Sequence, residues 1–192
     1  MPTITFANNK GGVAKTTSTI MTGLALCKRG LRVEVRDLDP SGDATEWAQT
    51  ASRAGTPLPF VVTPANMRNV DAQSDPDTWV LIDTPPEQMQ IVQAGIDAAD
   101  LVILVTSPGR HDTDHLIEMA KCIDRPLTVL MTLARPGTIA LKAAVDKLKA
   151  ADLMGFSTII PNLQATLRAS GTNVLPAMSG YQEAASELVE AF

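Results

Sequence analysis

A chain of 192 residues with 45% apolar and 19% charged side chains can bury a proper core and fits one globular domain over residues 1–192. Its formal charge of -5 excludes a surface coated in positive potential for unaided nucleic-acid binding, leaving room only for a local basic face. Cys27 and Cys122 lack C-x-x-C spacing, and no apolar run nears the roughly 18 residues of a spanning helix, so a disulfide framework, a zinc knuckle and a membrane span are all disfavoured and a cytoplasmic setting is expected.

Short apolar runs rich in Val, Ile and Leu recur at Thr3 to Ala7, Leu31 to Val35, Phe60 to Val62, Trp79 to Ile82, Leu101 to Val105, Leu127 to Met131 and Thr158 to Ile160. Several are apolar at every position, as parallel strands covered on both faces tend to be. Helical spacing lies between them. Ile20, Leu24 and Cys27 precede Lys28, Arg29 and Gly30, a helix C-terminus signal; further helices are expected at Gln88 to Ala98, at Asp114 to Ile123, and around Leu141, Val145 and Leu148. The alternation predicts an α/β domain, a doubly wound, mostly parallel sheet with helices on both faces, whose ligands sit at the carboxyl ends of the strands.

The first strand runs into NNKGGVAKTT, Asn8 to Thr17, and then a helix. A phosphate loop of pattern G-x-x-x-x-G-K-[ST] needs this context, but it asks for glycine where this chain has Asn9 and Ala14. Backbone N–H groups at a helix N-terminus would converge on phosphate oxygens, with Gly11 and Gly12 permitting close approach. Lys15 would bind the β- and γ-phosphates and Thr16 would hold Mg2+. Carboxylates follow two other strands, in RDLDPSGDAT and in DTPPEQ, where a metal-assisted phosphoryl transfer needs them. Any one of these aspartates alone reads as a cap or turn former; three in combination with Lys10 and Lys15 do not.

The string Lys10-Gly11-Gly12-Val13-x-Lys15-Thr16-Thr17 resembles the deviant Walker A loop of the ParA/MinD family of ATPases. The resemblance implies a P-loop NTPase fold in which Lys10 reaches across an ATP-dependent sandwich dimer to the partner's phosphates. Asn9 is then no anomaly, whereas Ala14 departs from the family's glycine and places a methyl group where the backbone can need an unusual φ. Residues Lys10 to Thr17, Val13 and Ala14 included, would form the nucleotide loop. Asp37-x-Asp39-Pro40 resembles the family's D-x-D-P element, so Asp39 would position the attacking water and Asp37 would lie beside Mg2+. Asp83 resembles the Walker B aspartate, holding Mg2+ through water. Arg135 and Pro161 occupy the family's adenine-side segments.

Other features carry less. Glu34 and Arg36 share a strand face and are expected to pair with each other. In RHDTDH, Arg110 to His115, helix capping by Asp112 or Asp114 outweighs a zinc pair of His111 and His115. Six basic residues between Lys121 and Ala150 against two acidic ones give a local balance of +4, and Lys142 and Lys149 share a helical face. Cys27 and Cys122 read as core residues rather than cluster ligands.

The resemblance implies a small ParA-type DNA-partition ATPase: an ATP/ADP and Mg2+ switch, dimeric on ATP, nucleoid-associated through nonspecific DNA, and stimulated by a centromere-binding, ParB-like partner. The length is expected to leave no room for an N-terminal helix-turn-helix domain. No Lys or Arg follows Arg168, which argues against a membrane-targeting helix. Positioning of a non-DNA cargo, or an ATP-dependent binding module with negligible turnover, are the alternatives.

Overall fold

The computed structural model describes residues 1–192. Its centre is a sheet of six strands, β1 Thr3–Ala7, β2 Arg32–Asp37, β3 Val61–Pro64, β4 Thr78–Asp83, β5 Leu101–Thr106 and β6 Leu127–Met131, ordered β3-β2-β4-β1-β5-β6 and parallel throughout. Seven helices complete it: α1 Lys15–Lys28, α2 Asp43–Arg53, α3 Met89–Asp97, α4 Arg110–Ala120, α5 Ile139–Ala150, α6 Gln164–Arg168 and α7 Tyr181–Glu190. The doubly wound α/β expectation is met. Strand β4 is buried at all six positions and β5 at five, which is why both read as continuous apolar runs.

Alternating side chains divide the core. Ile4 and Phe6 of β1 join residues of α1, α2 and α7 on one face, while Ala7, Val102 and Leu104 join those of α3, α4 and α5 on the other. Two glycines let helices sit close to their neighbours. A Cβ on Gly23 of α1 would come within 2.9 Å of the Phe60 ring, and one on Gly95 of α3 within 3.0 Å of Thr84 Cγ2, where the Gly95 carbonyl also accepts from Thr5 Oγ1.

Six of the seven apolar runs are strands, and the seventh is not. Beside β6, residues 153–162 make only isolated bridges, Gly155 to Val129 and Pro161 to Ala134. Between those bridges Ser157 and Thr158 give their N–H groups to the Glu187 carboxylate of α7, at 2.7 and 2.8 Å. The segment is drawn off the sheet edge, so a continuous ladder does not form.

Strand β2 also runs beyond its apolar stretch to Asp37. Arg36 is buried there and its guanidinium reaches Glu34, as expected, and also the carbonyls of Val70 and Ala72, pinning the loop before β4. Cys27 is half-buried against the core. Cys122 is exposed, contrary to expectation, because α4 ends at Ala120 and the cysteine falls in the following turn. No helix is long and apolar enough to cross a membrane.

Candidate nucleotide site

The central strand β1 has β4 on one side and β5 on the other, so the loops leaving their carboxyl ends face one crevice. Residues 8–14 follow β1 and are braced from below. Asn8 is buried, donates to the Val105 carbonyl at 2.7 Å, and accepts the Lys10 N–H at 2.8 Å. Thr132, after β6, donates its hydroxyl to the Val13 carbonyl at 2.8 Å. Asn8 opens the quoted stretch, but neither residue was given a bracing role from the sequence.

Ala14 is the last residue before α1 and lies in the left-handed region, φ 67 and ψ 37. A glycine is at home there, whereas an L-residue is strained by roughly 1–2 kcal/mol. The unusual φ anticipated for this position is therefore present.

Gly11, Gly12, Ala14, Lys15, Thr16 and Thr17 line a 460 Å³ cavity, closed on its other sides by Asp39, Ser41 and Asp43 and by Pro86 and Gln88. Lys15 is buried, and its ammonium donates to the Lys10 carbonyl at 3.0 Å. Burial pushes the Lys15 pKa down, opposed by the charges of Asp83 and Asp39.

Register brings the carboxylates together. Asp37 of β2 stands directly opposite Asp83 of β4. Thr16 Oγ1 donates to one Asp83 oxygen at 2.6 Å and Thr19 Oγ1 to the other at 3.2 Å. Asp83 is fully buried, and burial pushes its pKa up to about 7, with the nearby Asp37 charge adding to the rise and the threonine hydroxyls and Lys15 opposing it. Asp37 is raised by burial too, against hydrogen bonds from the Thr45 N–H and hydroxyl at 2.8 and 2.7 Å. A pair of buried carboxylates beside a threonine hydroxyl is a hard-oxygen donor set suited to Mg2+, and a cation there would relieve the burial that raises both groups. Asp39 sits further out, its carboxylate accepting the Ser41 N–H at 2.9 Å and facing the phosphate cavity.

Beyond Ala14 and Thr17 a smaller cavity of 40 Å³ is walled by Thr132, Leu133, Ile160, Pro161, Thr166 and Tyr181, among others. Pro161 belongs to that wall. Arg135 is exposed on the loop after β6 and is not part of that wall.

Lys10 is the one loop lysine outside the phosphate cavity. Its ammonium forms an ion pair with Asp112 on α4, and Ser107 donates its hydroxyl to the same carboxylate. The capping expectation for this stretch is corrected: α4 begins at Arg110, after Gly109, with no side-chain cap. Asp112 takes Lys10, and Asp114 takes Lys147 of α5. No group of three or more His, Cys, Asp or Glu side chains is placed to hold a metal ion by itself.

Comparison with known proteins agrees with the fold. Residues 1–75 match the family model described as an AAA domain. The chain is 30% identical to the maintenance of carboxysome distribution protein A of Gloeobacter kilaueensis, covering 94% of this chain and 91% of that one. It is 26% identical to the ParA protein of Rhizobium radiobacter over 71% of this chain and 66% of the relative. The solved septum site-determining protein MinD of Pyrococcus horikoshii, complexed with Mg-ADP, superposes with a TM-score of 0.75 at 18% identity, covering 99% of this chain and 95% of that one.

Proposed function

Because the chain belongs to the ParA/MinD family of deviant Walker A ATPases, we propose that it works as a single-domain, Mg2+-dependent ATP hydrolase whose ATP-bound dimer is a positioning switch. The observation that carries this reading is the split between the two loop lysines. Lys15 is buried among the phosphate-cavity residues, while Lys10 stands outside them with a half-exposed side chain, held only by Asp112 and turned away from its own protomer's cavity.

In this reading the N–H groups of Gly11 to Thr17 and the Lys15 ammonium hold the phosphates of ATP, and Lys10 of each protomer completes the other's site. Thr16, Asp37 and Asp83 would hold Mg2+, which would supply neutralisation of the phosphate charge. Asp39, in the wall of the cavity, orients the attacking water. Pro161 packs against the adenine, and Arg135 lies at the outer end of that segment. Water adds to the γ-phosphorus with ADP as leaving group; once inorganic phosphate departs, Lys10 has lost its partner and the dimer separates. Turnover is slow without a stimulator, since an enzyme that hydrolysed at once would not persist as a dimer.

The track is nonspecific duplex DNA. Of the six basic residues from Lys121 to Lys149, Lys121 and Lys147 are ion-paired and Arg125 bonds the Asp97 carbonyl, whereas Arg135, Lys142 and Lys149 are exposed without a carboxylate partner. Such a patch contacts phosphates without reading sequence. The leading cargo is DNA itself, in plasmid or chromosome partition with a centromere-binding, ParB-like stimulator. A second reading, positioning of a protein assembly, is favoured by the near full-length similarity to the carboxysome distribution protein. No membrane partner is expected in either, and the ATP form would be nucleoid-associated.

The test measures ATP hydrolysis with and without duplex DNA and the product of the neighbouring gene, alongside co-sedimentation on arbitrary DNA with ATP against ADP. Stimulated hydrolysis and ATP-selective sedimentation are expected. No hydrolysis in any combination would reduce the protein to a binding module.

A further inference from the structure

Ala14 and Thr17 line the phosphate cavity and also the 40 Å³ cavity beyond it, so the two share a wall at the start of α1. At that size the smaller cavity admits the edge of a ring rather than a whole ligand, which takes roughly 300 Å³ or more. Its apolar lining comes from Leu133, Ile160, Pro161, Leu163 and Leu167, the last of them 57% exposed. A further cavity shares Thr16, Thr17 and Asp43 with the phosphate cavity, but it carries Trp47 as its one apolar side chain beside the carboxylates of Asp43 and Glu46. That is the poorer seat for a flat heterocycle.

One polar group in the smaller cavity's wall is left without a partner. Thr166 of α6 is 8% exposed, and its hydroxyl is buried with no hydrogen bond. A buried hydroxyl left so costs about 1–3 kcal/mol, which a ligand that bonds it would recover. The neighbouring hydroxyls are already engaged: Thr132 donates to the Val13 and Thr106 carbonyls, and Tyr181 shares a hydrogen bond of 3.1 Å with Ser18. Beyond the phosphate loop, the Thr166 hydroxyl and the amide of exposed Asn162 remain, and no charged side chain lines the cavity. Each of the two groups offers both a donor and an acceptor.

We propose that this wall reads the edge of a purine through Thr166 and does not tell adenine from guanine, so that the chain holds GTP as well as ATP. Adenine presents an amino donor where guanine presents a carbonyl acceptor. A carboxylate or an ammonium would choose between them, whereas a hydroxyl rotates to suit either. Pro161 and Leu167 cover the ring whichever base it is, and Thr166 takes its edge. The proposal deepens the nucleotide-switch reading and rests on it.

Calorimetric titration of the whole chain with ATP, GTP, CTP and inorganic tripolyphosphate, each with Mg2+, tests it. GTP is expected to bind within about tenfold of ATP, and CTP more than tenfold weaker, because a single ring stops short of Thr166. Thr166→Val keeps the side chain's shape and removes the hydroxyl. It should weaken ATP and GTP alike by about fivefold, the scale of one neutral hydrogen bond, and leave tripolyphosphate unchanged. Its Tm should equal or exceed the parent's, since an unsatisfied buried group has gone, and Thr166→Ser should restore the affinity. A merely structural threonine would instead move tripolyphosphate and the nucleotides together. GTP a hundredfold weaker than ATP, CTP as tight as ATP, or a valine variant that binds ATP like the parent overturns the proposal while leaving the ATP switch standing. A parent chain that binds tripolyphosphate but neither ATP nor GTP would bring down both.

Discussion

Lys10 and Asp112, 102 positions apart in the chain, form an ion pair that holds the lysine away from the phosphate cavity of its own protomer. Lys10 is half-exposed, so water can replace Asp112 at its ammonium, and Ser107 still serves the buried carboxylate when the lysine leaves. Lys10→Ala should therefore leave the fold intact, with a Tm within a few degrees of the parent. It should abolish ATP-dependent dimers, as read by light scattering with ATP and Mg2+. A dimer of unchanged stability in that variant would remove Lys10 from the switch.

Asp39 faces the phosphate cavity but does not share the buried register of Asp37 and Asp83. A group placed to orient water can be removed without loss of nucleotide binding. Asp39→Ala should bind ATP, form the dimer and hold it, with hydrolysis reduced by about 10²-fold or more. Phosphate release under single-turnover conditions checks this; hydrolysis at the parent rate would show that another group positions the water.

Glu187 ties α7 to the segment that leads to Pro161, accepting the N–H groups of Ser157 and Thr158 and the Thr158 hydroxyl. Burial pushes its pKa up, but those hydrogen bonds outweigh it and leave the carboxyl below its ordinary value. A depressed carboxylate adds stability that is full above the ordinary value and is lost as pH falls through the folded one. Glu187→Gln should cost about 1 kcal/mol near neutral pH, the group being partly in water. It should also flatten the loss of stability between about pH 5 and pH 3 relative to the parent. Urea midpoints across that range decide it. An unchanged acid slope would mean the carboxylate is not held in solution.

Much of this arrangement is legible in the sequence because its chemistry is local. Buried parallel strands announce themselves as apolar runs, and a phosphate loop concentrates its residues between one strand and one helix. What escaped reading depends on distant partners. Asp112 near a helix start reads as a cap until Lys10 is seen beside it. Thr158 to Ile160 reads as a strand until Glu187 takes the N–H groups of Ser157 and Thr158. Asn8 and Thr132 brace the loop through backbone carbonyls, which no side-chain pattern encodes. Ala14 was legible as a departure from pattern, and the backbone now gives that departure a physical content.

At φ 67, Ala14 occupies a conformation that glycine adopts without penalty. Ala14→Gly removes the Cβ strain, about 1–2 kcal/mol, and gives back part of it through the more flexible unfolded chain. The net expectation is a gain of about 1 kcal/mol, or roughly 2–4 °C in Tm for a chain of this size. The site consequence follows from position. Ala14 immediately precedes Lys15 and Thr16, and it lines both the phosphate cavity and the smaller cavity beyond it. Relieving the strain should let the loop N–H groups settle around phosphate at lower cost, changing ATP affinity or turnover along with stability. Calorimetry with ATP and Mg2+, run beside steady-state hydrolysis, separates the two effects. A variant more stable than the parent but identical in affinity and rate would confine the methyl group's effect to folding; a less stable one would mean that Ala14 makes contacts worth more than its strain.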